Sequence, residues 1–309
     1  MIKNLVLVIA FLLYLSPDAG ASGREIRIAM WKLPLNMPSI VAMEQKAYER
    51  AFEGEYLIRY IDLPSGPRQV QAIAAGELDI VEGLGAGAVL VGIANGVDMT
   101  IIGANSRSPE AFAVVVKDPR IMRISDLKGK KVAGLRGSVV HQLFVELLRK
   151  EGLSEKDVEF FPMTLNASAS ALIAGRVDSA LLAGTEIVRA EKGGCRVLKD
   201  GRGVLRGLSL IAARRSFAEK HPAAIEKYLA FREKILIEAA RSPERVLPLL
   251  GKETGLQENE AKKLLAKFDY DTKITNTDIE ELKNTGEYLK RENFIKIIPE
   301  INIILWNDE

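Results

Sequence analysis

Two six-residue stretches, Ala74-Ala75-Gly76-Glu77-Leu78-Asp79 and Ile173-Ala174-Gly175-Arg176-Val177-Asp178, decide the fold of this chain. In each stretch a helix-like segment ends at the glycine, and the aspartate three positions later precedes a short apolar run. Glycine is common just beyond a helix, and a short apolar run between turn residues is typical of a buried strand. The two glycines are separated by the same number of residues as the two aspartates. The repeat therefore predicts two α/β lobes of similar construction.

The sequence around the two stretches alternates between apolar runs and amphipathic segments. Such alternation predicts strands and helices in turn, and therefore a mostly parallel sheet. Strands are predicted at 26–30, 56–61, 78–81, 99–102, 111–116, 131–133, 158–161 and 177–182. Helices are predicted at 39–52, 65–75, up to residue 94, 139–150 and 167–174, and in a tail at 223–240, 244–250, 258–268 and 277–291.

Composition excludes several classes of protein. The length of 309 residues suggests about two domains. Lys and Arg (43) nearly balance Asp and Glu (41), which argues against a dedicated nucleic-acid binder. Apolar residues make up 48% of the chain, so a sizeable core is expected rather than disorder. One cysteine, Cys195, and two histidines, His141 and His221, make a disulfide framework or a histidine-rich zinc site improbable.

The first 21 residues have the layout of a secretory signal peptide. Lys3 precedes an apolar run from Leu5 to Leu15, Pro17 ends that run, and Ala19-Gly20-Ala21 follows as a cleavage site. An apolar run of this length is short for a membrane-spanning helix, which disfavours the alternative of an uncleaved anchor. With no cysteine near the cleavage site, the sequence predicts an exported protein without a lipid anchor.

Two similar lobes with facing strand ends would form a ligand cleft. Ligands of open α/β sheets bind beyond the carboxyl ends of the strands and often between domains. Helices predicted to start after Ser65 and Ser138 would offer backbone N–H groups to an anion there. The crossings between lobes are predicted at 104–109 and 201–207. A Gly83-x-Gly85-x-x-Ala88 pattern is similar to a dinucleotide fingerprint, but it follows the third strand of its lobe, so we interpret it as coincidental.

A series of short motifs connects the chain with a known family. The motifs are Ser65-Gly66-Pro67, Ala74-Ala75-Gly76 with Asp79-Ile80, Ser125–Ala133, Gly137-Ser138 with His141, Gly152-Leu153 before Asp157-Val158, Ala174-Gly175 with Val177-Asp178, and His221-Pro222. In this order, over residues 26–240, they resemble the periplasmic substrate-binding proteins of ABC importers of the nitrate/taurine/aliphatic-sulfonate type.

The resemblance implies a two-lobed periplasmic-binding-protein fold of type II with two crossovers and a helical C-terminal tail. The implied divisions are a signal peptide at 1–21, a first lobe at 22–105 plus 207–309, and a second lobe at 106–206. The chain departs from the family at two cleft positions. Ala183-Gly184-Thr185 stands where the family usually has a Trp-Glu-Pro-like stretch, and the loop from Glu82 to Gly87 lacks the usual proline. The ligand can therefore differ from the family's best-known substrates.

The positions of the strand ends and the family resemblance together predict a set of ligand contacts. They are Trp31, Lys32, Asn36, Ser65, Gly66, Glu82, Gly83, Arg107, Ser138, His141, Asn166 and Thr185. Trp31 and Lys32 are expected to supply an aromatic wall and a cation, or else a packed ring and a solvated ammonium. Ser65 and Gly66 would contact ligand or only cap a helix. His141 and Ser138 would meet an oxyanion, with a purely structural histidine as the alternative.

Glu82 leaves the charge of the ligand open. It is expected at the cleft rim, where it would accept from a ligand amine, pair with Lys32 or Arg107, or stay solvated. Lys32, His141 and the helix starts favour an oxyanion.

The predicted function is an extracytoplasmic, soluble and monomeric receptor that hands a small anionic or zwitterionic solute to the membrane permease of an ABC importer. No cofactor, metal, nucleic acid or catalytic residue is predicted. The alternatives are an enzyme of thiamine-pyrimidine or menaquinone biosynthesis on the same fold, which fold alone does not exclude, and a ligand-sensing partner of a membrane signalling protein.

Overall fold

Two five-stranded sheets organise the protein, of which the computed structural model describes residues 24–63 and 65–306. The predicted signal peptide 1–21 lies outside these residues. The strands are β1 Glu25–Met30, β2 Leu57–Asp62, β3 Ile80–Gly85, β4 Met99–Ser106, β5 Phe112–Val116, β6 Lys131–Gly134, β7 Glu159–Pro162, β8 Ser179–Ala183, β9 Arg196–Asp200 and β10 Ser209–Arg214. The helices are α1 Met37–Glu44, α2 Ala47–Ala51, α3 Gly66–Ala74, α4 Ala86–Ala94, α5 Val139–Lys150, α6 Leu165–Ile173, α7 Thr185–Lys192, α8 Arg215–Lys220, α9 Pro222–Arg241, α10 Pro243–Thr254, α11 Glu258–Leu265, α12 Asn276–Arg291 and α13 Ile301–Ile304.

The two sheets have the same topology. The first has the order β2-β1-β3-β10-β4 and the second β7-β6-β8-β5-β9. In each, four strands run in one direction, but two of the four neighbouring pairs are antiparallel, so both sheets are mixed rather than mostly parallel. The fourth strand, β10 or β5, is antiparallel to both of its neighbours. We call the part built on the first sheet, with the C-terminal helices, the first lobe, and the part built on the second sheet the second lobe.

The repeated aspartates do the same structural work in both lobes. Asp79 Oδ2 accepts from the backbone N–H of Arg27 at 2.9 Å, and Asp178 Oδ2 accepts from that of Lys131 at 2.8 Å. Each aspartate therefore ties the strand that follows it, β3 or β8, to the neighbouring strand of its sheet, β1 or β6. The preceding glycines, Gly76 (φ +71) and Gly175 (φ +69), adopt the left-handed conformation that ends the helix. This geometry explains the internal repeat in physical terms.

The structure differs from the predicted elements in a few places. The single helix expected at 39–52 is divided into α1 and α2, because Lys46 takes a left-handed conformation (φ +50). The sequence prediction missed β9, β10, α7 and α8. Ser65 stands at the N-cap position of α3, but its side chain makes no capping hydrogen bond. No helix of the described residues is long and apolar enough to cross a membrane.

Two short crossings join the lobes and contact each other. The first lies between β4 and β5 and the second between β9 and β10. Ser108 N donates to Arg206 O at 3.0 Å. Gly207 adopts φ +66, and a Cβ there would lie 2.6 Å from Ser108 O, so the close approach of the two crossings requires glycine. The lobe boundaries after residues 105 and 206 remain predictions.

The C-terminal helix α12 packs against both lobes. Its Leu289 lies beside Gly87 of α4 in the first lobe. Its Thr285 pairs with Gln142 of α5 in the second lobe, with Nε2 and Oγ1 3.1 Å apart. At its start, Asp278 accepts hydrogen bonds from Arg107 and Arg206, one from each crossing. The helical tail is therefore part of the joint between the lobes.

Candidate functional site

The carboxyl ends of the strands form one edge of each sheet. In the first sheet Ser209, at the start of β10, pairs with both Gly85 and Ser106, which places the ends of β3 and β4 side by side. In the second sheet Phe112, at the start of β5, pairs with Ala183 at the end of β8. Because the loops after these strands continue into helices, both edges carry helix N-termini. These are the edges at which ligands of open α/β sheets bind.

The two edges meet at a junction formed by Gly66, Gly85 and Val139. A Cβ on Gly85 would lie 3.5 Å from Val139 Cγ2, so the end of β3 in the first lobe contacts the start of α5 in the second. A Cβ on Gly66 would lie 3.4 Å from Leu84 Cδ1, which brings the start of α3 to the same place. We call this place the interlobe junction and take it as the candidate site.

Helix starts at and beside the junction lack side-chain caps. The N-cap residues Ser65, Gly85, Ser138 and Gly184 of α3, α4, α5 and α7 make no capping hydrogen bond through a side chain. By contrast, α6 is capped by Thr164. First-turn N–H groups without a side-chain acceptor, together with the helix dipole, favour an anionic partner. Ser138 Oγ donates to Leu135 O at 2.6 Å, and its lone pairs remain available as acceptors.

Equivalent positions of the two lobes expose a large apolar side chain next to a cation. Trp31 follows β1 and Leu135 follows β6, and these side chains are 38% and 43% exposed. Lys32 lies 3.4 Å from Glu253, and Arg136 lies 2.5 Å from Glu155 and over the ring of Phe160. Ligand contacts by Trp31 and Lys32 stay predictions, and the second edge carries a counterpart, Leu135 and Arg136, that the sequence prediction missed.

Glu82 does not lie at a cleft rim, which corrects the prediction. Its side chain is buried on the helix-covered face of the first sheet, where it accepts a hydrogen bond from Tyr228 OH. Its cationic partner is Arg232 of α9, with Nη1 and Oε1 3.7 Å apart, rather than Lys32 or Arg107. In this structure the carboxylate is enclosed among partners of its own lobe, so its expected position at the rim is wrong.

Arg107 also has a structural role in place of the predicted one. Its buried guanidinium donates to Asp278 through Nε at 2.8 Å and Nη2 at 2.6 Å. The other donors reach Asp269 Oδ2, Asp271 O and Lys273 O. All five N–H groups of the guanidinium thus have acceptors within the protein. Arg107 fastens the first crossing to the C-terminal segment.

His141 is enclosed between the lobes, so the structural alternative for this residue is the better description. Its Nδ1 lies 2.6 Å from Tyr288 OH, and its Nε2 hydrogen-bonds with Glu155. Burial lowers the pKa of His141, although Glu155 opposes the shift. Both ring nitrogens are engaged, and the neutral imidazole is favoured.

Asn36 and Gly83 lie together beneath the loop that carries Trp31. Asn36 is fully buried, and its Nδ2 donates to Trp31 O at 2.6 Å. Gly83 adopts φ +78, and a Cβ there would lie 2.4 Å from Asn36 Oδ1, so only glycine fits. Asn166 is exposed in the first turn of α6, and Thr185 begins α7. Ligand contacts by Asn166 and Thr185, and by Ser65, Gly66 and Ser138, stay predictions.

Comparison with known proteins places the chain in a family. The model of NMT1/THI5-like proteins matches residues 60–246, more than half of the chain. The chain belongs to the NMT1/THI5-like family. It is 30% identical over 260 residues to a protein named as an aliphatic sulfonates-binding protein of Escherichia coli, covering 82% of this chain and 80% of that one.

Solved structures confirm the predicted fold of this NMT1/THI5-like protein. The periplasmic aliphatic sulphonate binding protein SsuA of Escherichia coli superposes with a TM-score of 0.85 at 25% identity, covering 93% of this chain and 94% of that one. The enzyme DSZB, in complex with biphenyl-2-sulfinic acid, shares the fold with a TM-score of 0.71 at 14% identity, covering 92% and 97%. The same fold is therefore found in a binding protein and in an enzyme.

The sequence prediction missed a cluster of buried polar residues behind the Trp31 loop. It includes Arg232 and Tyr228 of α9 and Asn105 of β4. The signal for Arg232 was present, because it lies at helical spacing within the apolar stripe of Ile225, Tyr228 and Ile235. Within residues 24–63 and 65–306, no group of three metal-ligating side chains is placed to hold an ion.

Proposed function

We propose that this protein is an extracytoplasmic receptor that captures a small sulfonate, nitrate or related anion between its lobes and delivers it to the permease of an ABC importer. The observation that carries the proposal is the interlobe junction, where uncapped helix starts from both lobes converge. The 30% identity to an aliphatic sulfonates-binding protein supports the same class of ligand.

The geometry also supports a mechanism of capture. An anion that accepts hydrogen bonds from the first turns of α3 and α5 contacts both lobes at once, so its binding favours the closed arrangement. The exposed side chains of Trp31 and Leu135 would cover the alkyl part of a sulfonate, which water solvates poorly. A ligand with an anionic head and a short apolar tail fits this combination.

Calorimetric titration of the purified protein with butanesulfonate, taurine and nitrate tests the proposal. We expect saturable binding of at least one of them and a smaller radius of gyration by small-angle scattering when it is bound. Gly85→Leu would place a side chain against Val139 and should weaken binding by at least about a hundredfold. Gly87→Ala, two residues further on, has room for its Cβ and serves as the control. No binding of any anion by the wild type would overturn the proposal.

A non-catalytic role for the protein is part of the proposal. The single cysteine, Cys195, is buried in the core of the second lobe, and burial raises the pKa of its thiol. The imidazole of His141 is enclosed as well. We expect bound sulfonate to be recovered unchanged after prolonged incubation, as measured by mass spectrometry.

Export and the monomeric state are part of the proposal too. Mass spectrometry of the secreted protein should find a chain that begins near Ser22. Size-exclusion chromatography with light scattering should find one chain per particle. A retained leader would identify an uncleaved anchor instead.

A further inference from the structure

We infer that Asn105, held in place by Arg232, is a positioning residue that fixes the loop of residues 31–36 and thereby Trp31 at the first edge. The inference rests on the proposed function and deepens it, because it assigns a role in ligand capture to fully buried side chains. It rests on the contacts of the buried polar cluster, one layer below the edge.

Buried or partly buried side chains donate to the backbone of this loop at three carbonyl groups. Asn36 Nδ2 donates to Trp31 O at 2.6 Å, and Tyr270 OH donates to Pro34 O at 2.6 Å. Asn105 Nδ2 donates to Leu35 O at 2.9 Å. The backbone hydrogen bonds of the loop itself are local: Leu33 N donates to Trp31 O at 2.7 Å, and Asn36 N donates to Leu33 O at 2.8 Å within a single 3-10 turn. The side-chain donors therefore tie this locally ordered loop to the elements around it.

Asn105 is the centre of this arrangement. Its Nδ2 also donates to Asn36 Oδ1 at 2.7 Å, so it orients the amide that holds Trp31 O. Its Oδ1 and its carbonyl oxygen accept from Arg232 Nη2 at 2.8 Å and 2.9 Å. The chain of contacts runs from Arg232 through Asn105 and Asn36 to the backbone of Trp31.

Arg232, at the base of the network, is fully enclosed. Its Nη1 donates to Ser39 Oγ at 3.3 Å and lies 3.7 Å from Glu82 Oε1. A buried charge of this kind is stable only with its partners in place, so Arg232 has little freedom to move. Trp31 consequently has a fixed backbone and a side chain that is free to meet a ligand. Fixing a contact residue beforehand lowers the ordering cost of binding.

Asn105→Asp in a Trp306→Phe background tests the inference. The substitution retains the acceptor for Arg232 but replaces the donor to Leu35 O and Asn36 with a carboxylate oxygen that repels them. Trp31 is then the only tryptophan, so its fluorescence reports on the loop alone. We expect quenching of Trp31 by acrylamide to rise at least twofold and the affinity for butanesulfonate to fall about tenfold. Asn36→Ser removes the donor to Trp31 O together with the amide oxygen that accepts from Asn105, and it should change both quantities in the same direction.

The matched control is Ser179→Ala in the same background. It removes another buried hydrogen bond, from Ser179 Oγ to Val115 O at 3.0 Å in the second lobe, and should leave Trp31 quenching unchanged. Unchanged quenching in both Asn105→Asp and Asn36→Ser would overturn the inference, even if affinity fell. Increased quenching without butanesulfonate binding by the wild type would uphold the positioning of the loop and count against the proposed function instead.

Discussion

At the scale of single residues, Glu82 shows that the partner of a carboxylate determines the role of the carboxylate. Its buried charge faces Arg232, so Glu82→Gln leaves the guanidinium without its counter-charge. We expect the free energy of unfolding to fall by about 3 kcal/mol in urea denaturation. The exposed pair of Glu55 and Lys227 offers the control, since Glu55→Gln should change stability little. Unaltered stability together with altered ligand selectivity would mean that Glu82 contacts the ligand after all.

His141 gives a pH dependence with a definite sign. Burial lowers its pKa below the ordinary value of 6.5, so below about pH 6.5 the unfolded chain binds more protons at this residue than the folded chain does. The contribution of His141 to stability is therefore complete above that pH and is lost as the pH falls. Denaturation between pH 7 and pH 5 should show a steeper loss for the wild type than for His141→Gln. Parallel curves would contradict this account.

At the scale of elements, the two repeated aspartates connect equivalent strands, but we expect them to contribute differently to the free energy of unfolding. Asp79 also binds Arg27 and Arg214, and although burial raises its pKa, these partners lower it overall. Asp178 accepts from the backbone N–H of Lys131 and forms no ion pair within residues 24–63 and 65–306. We expect Asp79→Asn to reduce the free energy of unfolding by about 3 kcal/mol and Asp178→Asn by about 1 kcal/mol. Equal losses in thermal denaturation would show that the arginines add nothing.

The elements that could be predicted from the sequence are those whose hydrophobic pattern lies within one continuous segment. Helix α5 has the predicted bounds of residues 139–150, because its apolar periodicity lies within one segment. The strand β10 was missed although its apolar run at residues 210–213 is equally local; what is long-range is its pairing with β3 and β4.

The same reason limits the prediction of the site. Arg107, His141 and Glu82 find their partners in Asp278, Tyr288 and Tyr228, all on C-terminal helices. Long-range pairing cannot be recognised from residue spacing. Strand-end positions such as Trp31 and the start of α3 could be predicted, because the order of elements places them.

At the scale of the whole molecule, Asp278 holds both crossings against α12. Burial would raise its pKa, but the hydrogen bonds from Arg107 and Thr275 lower it to about 2. Above pH 4 this carboxylate contributes about 2 kcal/mol to the free energy of unfolding, and the contribution is lost as the pH falls towards 2. Asp278→Asn should lower the free energy of unfolding by about 3 kcal/mol and broaden the distribution of lobe orientations in small-angle scattering.

Asp269 supplies a matched control for that variant. It pairs with the same Arg107 at 3.4 Å, but its own side chain is exposed. Asp269→Asn should therefore leave both stability and scattering close to those of the wild type. If the two variants behaved alike, the joint between the lobes would not depend on Asp278.

The position of β10 also dictates an order of synthesis. This strand lies between β3 and β4, yet the whole second sheet is encoded between β4 and β10. A ribosome must therefore complete the second lobe before the first sheet can close, and until then β3 and β4 expose unpaired edges. Closing a sheet over so many intervening residues is slow. In a chain exported as proposed, slow closure of the first sheet leaves time for translocation across the membrane before the first lobe folds.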